Sequence, residues 1–359
     1  MNASFNAEML ILAREVRGMT QTELAERSSI DQGRISRYEG GIKRIPLDEM
    51  QVLAKTLEFP MSFFARDGKR LAAETGDVFH RKRRSLSAVQ QKQIDGLLNL
   101  YRMGVADLLN QIEFDPLYTI PQCNLAEFDS NVDDVAAAVR AKWRIPSGPI
   151  NNMIAQLEEA SCFVFAHDFG TDLIDEAVQW IEPTPPIILV NTRSPGDRLR
   201  FSLAHALGHL VLHHNQLPHP QIEEEADKFA AAFLMPAEDI RPELTTVTIS
   251  HLLNLKPYWK VSMQALIVRA KDIGEISERQ YNSLFQMLSK YGYRKNEPFS
   301  LPTEIPQSIT DLLNEYRKLG YSNAELADLV KVNVHDFEAW FQSDPFPIRL
   351  VQKPKRSAI

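Results

Sequence analysis

Five of the nine histidines fall within residues 195–236, PGDRLRFSLAHALGHLVLHHNQLPHPQIEEEADKFAAAFLMP. His205 and His209 stand four apart in an apolar run of Phe201, Leu203, Ala204, Leu207, Leu210, Val211 and Leu212. A helix there puts both imidazoles on one face, where they can share a metal. Two ligands do not close a site, and the acidic run after the turn LPHPQ offers Glu223, Glu224 and Glu225 as a third. Only Glu223 keeps an ExxxD spacing with Asp227, so its carboxylate can bind the metal while Asp227, one turn on, orients a histidine from behind. Two imidazoles, one carboxylate and an open position describe a catalytic Zn2+. A third imidazole from His213 would leave the acidic helix without a purpose, so His213 reads as structural. His214 and His219 read as surface or turn residues, and the lone His80, His167, His251 and His335 as solvated or core residues.

The chemistry lacks one group. In the HExxH motif the residue after the first histidine is a glutamate that takes a proton from the attacking water. Here that position is Ala206, and a methyl group accepts no proton. Metal and substrate binding should survive, whereas peptide hydrolysis should fall by at least ~100-fold, the lower end of a general-base step.

SLAHALGHLVLHH followed by EEEADKFAAAFLMP resembles the ImmA/IrrE family of zinc metallopeptidases, and the resemblance extends through GPINNM, PPIILVN, PGDRLRFSLAH and LKPYWKVSMQALIVRA. It implies His205, His209 and Glu223 as zinc ligands and a missing catalytic glutamate at Ala206. It also implies a peptidase that cleaves a repressor, an antitoxin or a related protein in a stress or phage response. Ala206 then reads as an inactivating substitution, with a natural pseudo-peptidase as the alternative.

A second cluster of motifs lies near the N-terminus. Residues 8–64 show helical periodicity broken at Gly18, 28–30 and 40–45. Thr20 and Glu23 form a capping box, and a second helix begins near Asp31, the outline of a helix-turn-helix. Gln32, Arg34, Ser36 and Arg37 lie where base edges of a DNA major groove are read, and Gln21, Lys43 and Arg44 where phosphates are held. RGMTQTELAERSSID, ISRYEGGIKRIP and FPMSFF resemble the Xre-type helix-turn-helix, which implies a double-stranded DNA operator and a homodimer on paired half-sites. The net charge of −7 does not oppose this, because a small basic head can ride on an acidic body.

These sites need a scaffold, and 359 residues with 44% hydrophobic content suffice for two or three packed domains. The expected fold is α+β, mostly α. Residues 1–70 form the helix-turn-helix domain, 71–117 a linker and amphipathic helix, 118–297 the peptidase domain, and 298–359 a C-terminal helical region and tail. The run HRKRR within 66–90 reads either as an added phosphate contact or as a solvated linker. Residues 91–111 form a helix that packs on the peptidase body or forms a dimer seam. Helices are expected at 131–143 and 148–160, and strands at 162–166, 177–181 and 187–190, one of which should pair with an extended substrate. Residues 309–341 outline a second helix-turn-helix without a basic face, suited to contacting protein or dimerising, and the tail at 352–357 is expected to be disordered. Two cysteines outside any CxxC pattern, no leader and no apolar span together suggest a cytoplasmic protein without a membrane partner. A regulated peptidase, a regulator with a pseudo-peptidase sensor and an antitoxin-like DNA-binding module are the competing functions.

Overall fold

Strands rich in Ile, Val and Phe on both faces are buried on both faces, and here they form a central four-stranded mixed sheet. The structure, a computed structural model, describes residues 5–67, 78–82, 85–112, 114–214, 216 and 219–342. The tail at 352–357, Arg83, Arg84 and residues 68–77 lie outside them. The strands are Val78–Lys82 (β1), Phe163–His167 (β2), Ile174–Gln179 (β3) and Ile187–Asn191 (β4), in the order β1-β3-β4-β2. β1 and β4 run antiparallel to β3, and β2 runs parallel to β4.

The N-terminal unit comprises Ala7–Val16 (α1), Gln21–Ser28 (α2), Gln32–Glu39 (α3), Leu47–Leu57 (α4) and Met61–Phe64 (α5). The Thr20–Glu23 capping box is present, and Ser29 takes the left-handed conformation that turns α2 into α3. After β1 comes Ala88–Leu109 (α6), followed by Val132–Lys142 (α7) and Met153–Glu159 (α8). The sheet then leads into Gly196–Leu212 (α9), Ile222–Leu234 (α10), Ala237–Ile240 (α11), Ile249–Trp259 (α12), Met263–Asp272 (α13) and Glu278–Lys290 (α14). Ser308–Lys318 (α15), Asn323–Leu329 (α16) and Val334–Phe337 (α17) end the described chain. Predominantly helical structure around one small sheet is the α+β class expected. Among the described residues no helix is long and apolar enough to cross a membrane.

Two apolar cores flank the sheet. Val164, Val178, Ile188 and Val190 face α7, α8, α9, α10 and α12 to α14. Phe163, Phe165, Ala177, Ile187 and Leu189 face a core shared with the N-terminal unit, α6 and the C-terminal helices.

Two expectations change. Part of the stretch read as a connector, with its basic run, is β1: alternation places Phe79 and Arg81 on one face and Val78 and His80 on the other, which a solvated linker would not require. The C-terminal helices contact protein, but that protein is their own chain. Asp336 pairs with Arg17 at 2.6 Å, Asn333 donates to the Glu58 carbonyl at 2.6 Å, and Trp340 packs 6.2 Å from Phe59.

Candidate metal centre and nucleic-acid interface

α9 opens after Pro195 and carries the histidines in its last two turns; α10 returns beside it. The two helices meet at Gly208, where a Cβ would lie 3.1 Å from Ala226 Cα and 3.2 Å from Ala226 O. A side chain there would push α10 back by a few tenths of an ångström, and the close approach carries Glu223 to the histidines. His205 Nε2 and His209 Nε2 lie 3.0 Å apart, and Glu223 oxygens lie 3.4 Å from the first and 3.6 Å from the second. Ligands ~2.0–2.1 Å from a tetrahedral zinc lie ~3.3 Å from one another, so the three donors fit that ion. When bound, it would supply Lewis acidity at the open position.

Both rings are held from behind. His205 Nδ1–H donates to Asp227 Oδ1 at 2.9 Å, the role assigned to Asp227 from its spacing. With its Nε2 facing the metal position, His209 carries its proton on Nδ1 and donates to His213 Nδ1 at 3.0 Å, and His213 Nε2–H donates to Glu225 Oε2 at 3.0 Å. His213 is therefore a support for His209, and with His219 and Glu225 it forms a second donor group. Spacing alone ranked Glu225 below Glu223 and missed this support, although His213 follows His209 by one turn. His219 is half-buried, and His214 lies in the turn that follows α9, where it is buried and stacks on Trp180 at 4.1 Å, so of surface or turn it takes the turn.

Burial disfavours the charged His205 ring, but the hydrogen bonds it donates to Asp227 and Glu223 outweigh it and push the pKa up to about 9. Burial and the neighbouring His205 and His213 hold His209 well below the usual histidine value. Before a metal enters, the surroundings thus favour the charged form at His205 and disfavour it at His209.

β1 closes the site on the sheet side. Phe79 stacks on His209 at 4.4 Å with an 8° interplanar angle, and Arg81 lies over Phe201 while donating to Asp227 Oδ1 at 3.2 Å. A cleft of about 1190 Å³, lined by Arg81, Arg198, Phe201, Glu223 and Asp227, opens beside it. β3 and β4 are interior strands, and α9 packs on β1, β3 and β4. The sheet edge next to the metal position is therefore β1, not one of the three strands anticipated. Ala206 is fully buried in the apolar core. On β3, Glu176 is fully buried beside His205, and neither carboxylate oxygen has a hydrogen-bond partner among the described residues. An acidic residue inside the buried strand IDEAVQ was the available signal for it.

In the N-terminal unit, Gln32, Ser36, Arg37, Lys43 and Arg44 are exposed together on α3 and the following turn. Gln21 is engaged: its amide donates to Glu39 Oε2 at 2.8 Å and accepts from Gln32 Nε2 at 2.8 Å. The cause is Glu39, a buried carboxylate that also binds Arg14 at 2.6 Å and gathers nearby donors. Arg34 pairs with Glu49 and donates to the Tyr38 hydroxyl, while its side chain stays 37% exposed.

Residues 157–271 match the family model of the M78 peptidases, described as the IrrE N-terminal-like domain, and residues 10–64 match that of a helix-turn-helix. Comparison with curated proteins gives no match. The chain thus joins a helix-turn-helix DNA-binding domain of the Xre-like type to an IrrE/ImmA-like domain of the M78 peptidase family.

Proposed function

We propose that the protein is a DNA-bound regulator whose zinc-dependent, peptidase-type domain acts on a protein partner, a repressor or an antitoxin, in a stress or phage response. The observation that carries this reading is the triangle of His205, His209 and Glu223 donors, spaced for a tetrahedral ion and supported from behind by Asp227 and His213. An extended segment of the partner would add to the outer edge of β1 and lie along the cleft, since backbone pairing binds without demanding a particular sequence. Gln32, Ser36 and Arg37 read bases while Lys43 and Arg44 hold phosphates, and two chains sit on paired half-sites. Arg34 and Gln21 act in this reading by setting the shape of α3.

Ala206 favours a second reading, in which the domain binds metal and partner without cutting. Under either reading, His205→Ala leaves the purified protein without stoichiometric zinc by elemental analysis. Arg37→Ala and Lys43→Ala each lower DNA affinity in salt-titrated gel shifts, Lys43→Ala reducing the slope by about 1. Zinc retained by His205→Ala, or DNA binding unchanged in both arginine and lysine variants, would overturn the corresponding half. Zinc-loaded protein incubated with candidate repressors then separates cutting from docking.

A further inference from the structure

The α9–α10 pair repeats its own pattern of donors. One turn past His209 stands His213, at the C-terminal end of α9, and two residues past Glu223 stands Glu225 on α10. His219 comes from the turn before α10, where its carbonyl accepts the Ile222 N–H at 3.2 Å. Glu225 Oε2 lies 3.0 Å from His213 Nε2 and 3.6 Å from His219 Nε2, and all three donors fall within 4.8 Å of one another. Donors around a tetrahedral zinc stand ~3.3 Å apart, the spacing also found at His205, His209 and Glu223. Among the described residues, these are the two groups of histidine, cysteine and carboxylate donors gathered so closely. His213 is buried, whereas His219 and Glu225 reach solvent, so the group is open to an ion from solution.

We propose that His213, His219 and Glu225 form a second divalent-cation site, of the zinc class, whose occupation loosens the first. The coupling rests on the zinc reading of the first site; the second site does not. Two imidazoles and one carboxylate suit zinc, whereas magnesium and calcium take oxygen ligands. The ion takes the place of the proton that His213 Nε2 donates to Glu225. The ring keeps one proton, which moves to Nδ1. There it meets the Nδ1–H of His209 across 3.0 Å, donor against donor, and the hydrogen bond that holds His209 from behind is lost. Each ion therefore disfavours the other by the same factor. Bound after the first and with two ligands that reach solvent, the second ion is the weaker of the two. A chelator strong enough to compete with the first site keeps the second empty, and zinc-free buffer washes it out during purification. In excess zinc, the filled second site lowers the hold of the first.

The test is equilibrium dialysis of the full chain against buffered free zinc. The native chain should take up a second ion as zinc is raised, whereas His219→Ala should stop at the first and bind it as tightly as the native chain does. His219→Asn, which keeps a polar residue in the turn, should match His219→Ala. With isotopically labelled zinc in the first site, release of the label from the native chain should quicken by roughly tenfold as unlabelled zinc is raised, the effect of losing the support behind one ligand. In His219→Ala the release rate should stay constant. Native uptake that stops at one ion overturns the proposal, and so does a second ion retained by both variants. Loss of both ions from both variants overturns it too, because His219 would then belong to the first site. Two ions with a release rate indifferent to added zinc uphold the site and overturn the coupling. A native chain that takes up no zinc at all removes the reading of the first site along with this one.

Discussion

At the scale of single residues, the metal position is decided by how each imidazole is held rather than by the count of histidines. Asp227 fixes the His205 tautomer, and His213 with Glu225 fixes that of His209. Such supports are worth about 10–100-fold in metal affinity, so Asp227→Asn should weaken zinc binding by that factor in a chelator competition while leaving one site per chain. The charge state adds a pH dependence with a definite sign. His205 is raised from 6.5 to about 9 in the metal-free fold. Its contribution to metal-free stability is therefore full below 6.5 and lost as pH rises through 9. Zinc must displace that proton, so affinity should climb with pH across the same window, with one proton released per ion in calorimetry using buffers of different ionisation enthalpy. A flat profile would mean that His205 is neutral before the metal arrives.

At the scale of elements, two contacts bring the donors together. The first is the α9–α10 crossing at Gly208, where any side chain would press on the backbone of Ala226. Gly208→Val should therefore cost about 3 kcal/mol in denaturant unfolding, the upper end for overpacking. It should also weaken zinc binding, since the shift moves Glu223 away from both rings. Unaltered affinity would show that α10 is not what places Glu223. The second contact is β1, which sets Phe79 on His209 and Arg81 on Asp227. A short strand from outside residues 118–297 thus packs against a donor group that lies wholly within them.

At the scale of the whole molecule, the sheet is shared property. Its far face packs into the same core as the N-terminal unit, α6 and the C-terminal helices. The C-terminal helices brace the helix-turn-helix through Arg17, whose guanidinium pairs with Asp336, donates to the Leu57 carbonyl at 2.8 Å and lies 4.9 Å from the Phe59 ring. Removing one partner of this largely buried pair leaves the other uncompensated. Asp336→Ala should therefore lower stability by about 2–3 kcal/mol, less than for a fully buried pair. Faster proteolysis of the N-terminal unit should accompany it, and DNA affinity should fall without any change in zinc content. Loss of zinc in that variant would show that the two sites are coupled through the shared core.

Periodicity and spacing carried the helix-turn-helix, its capping box and the candidate metal group of His205, His209 and Glu223 with Asp227 behind it, because each depends on residues one helical turn apart or on adjacent helices. The helix contains those relations, and no long-range packing is needed to infer them. Ala206 was legible as a missing group for the same reason. Tertiary packing alone decided that Arg34 turns to Glu49, that a run of basic residues begins as β1, and that Glu176 lies buried beside His205. Each of these depends on a partner far away in the chain, and strand pairing between residues 78–82 and 174–179 leaves no periodic trace in either segment.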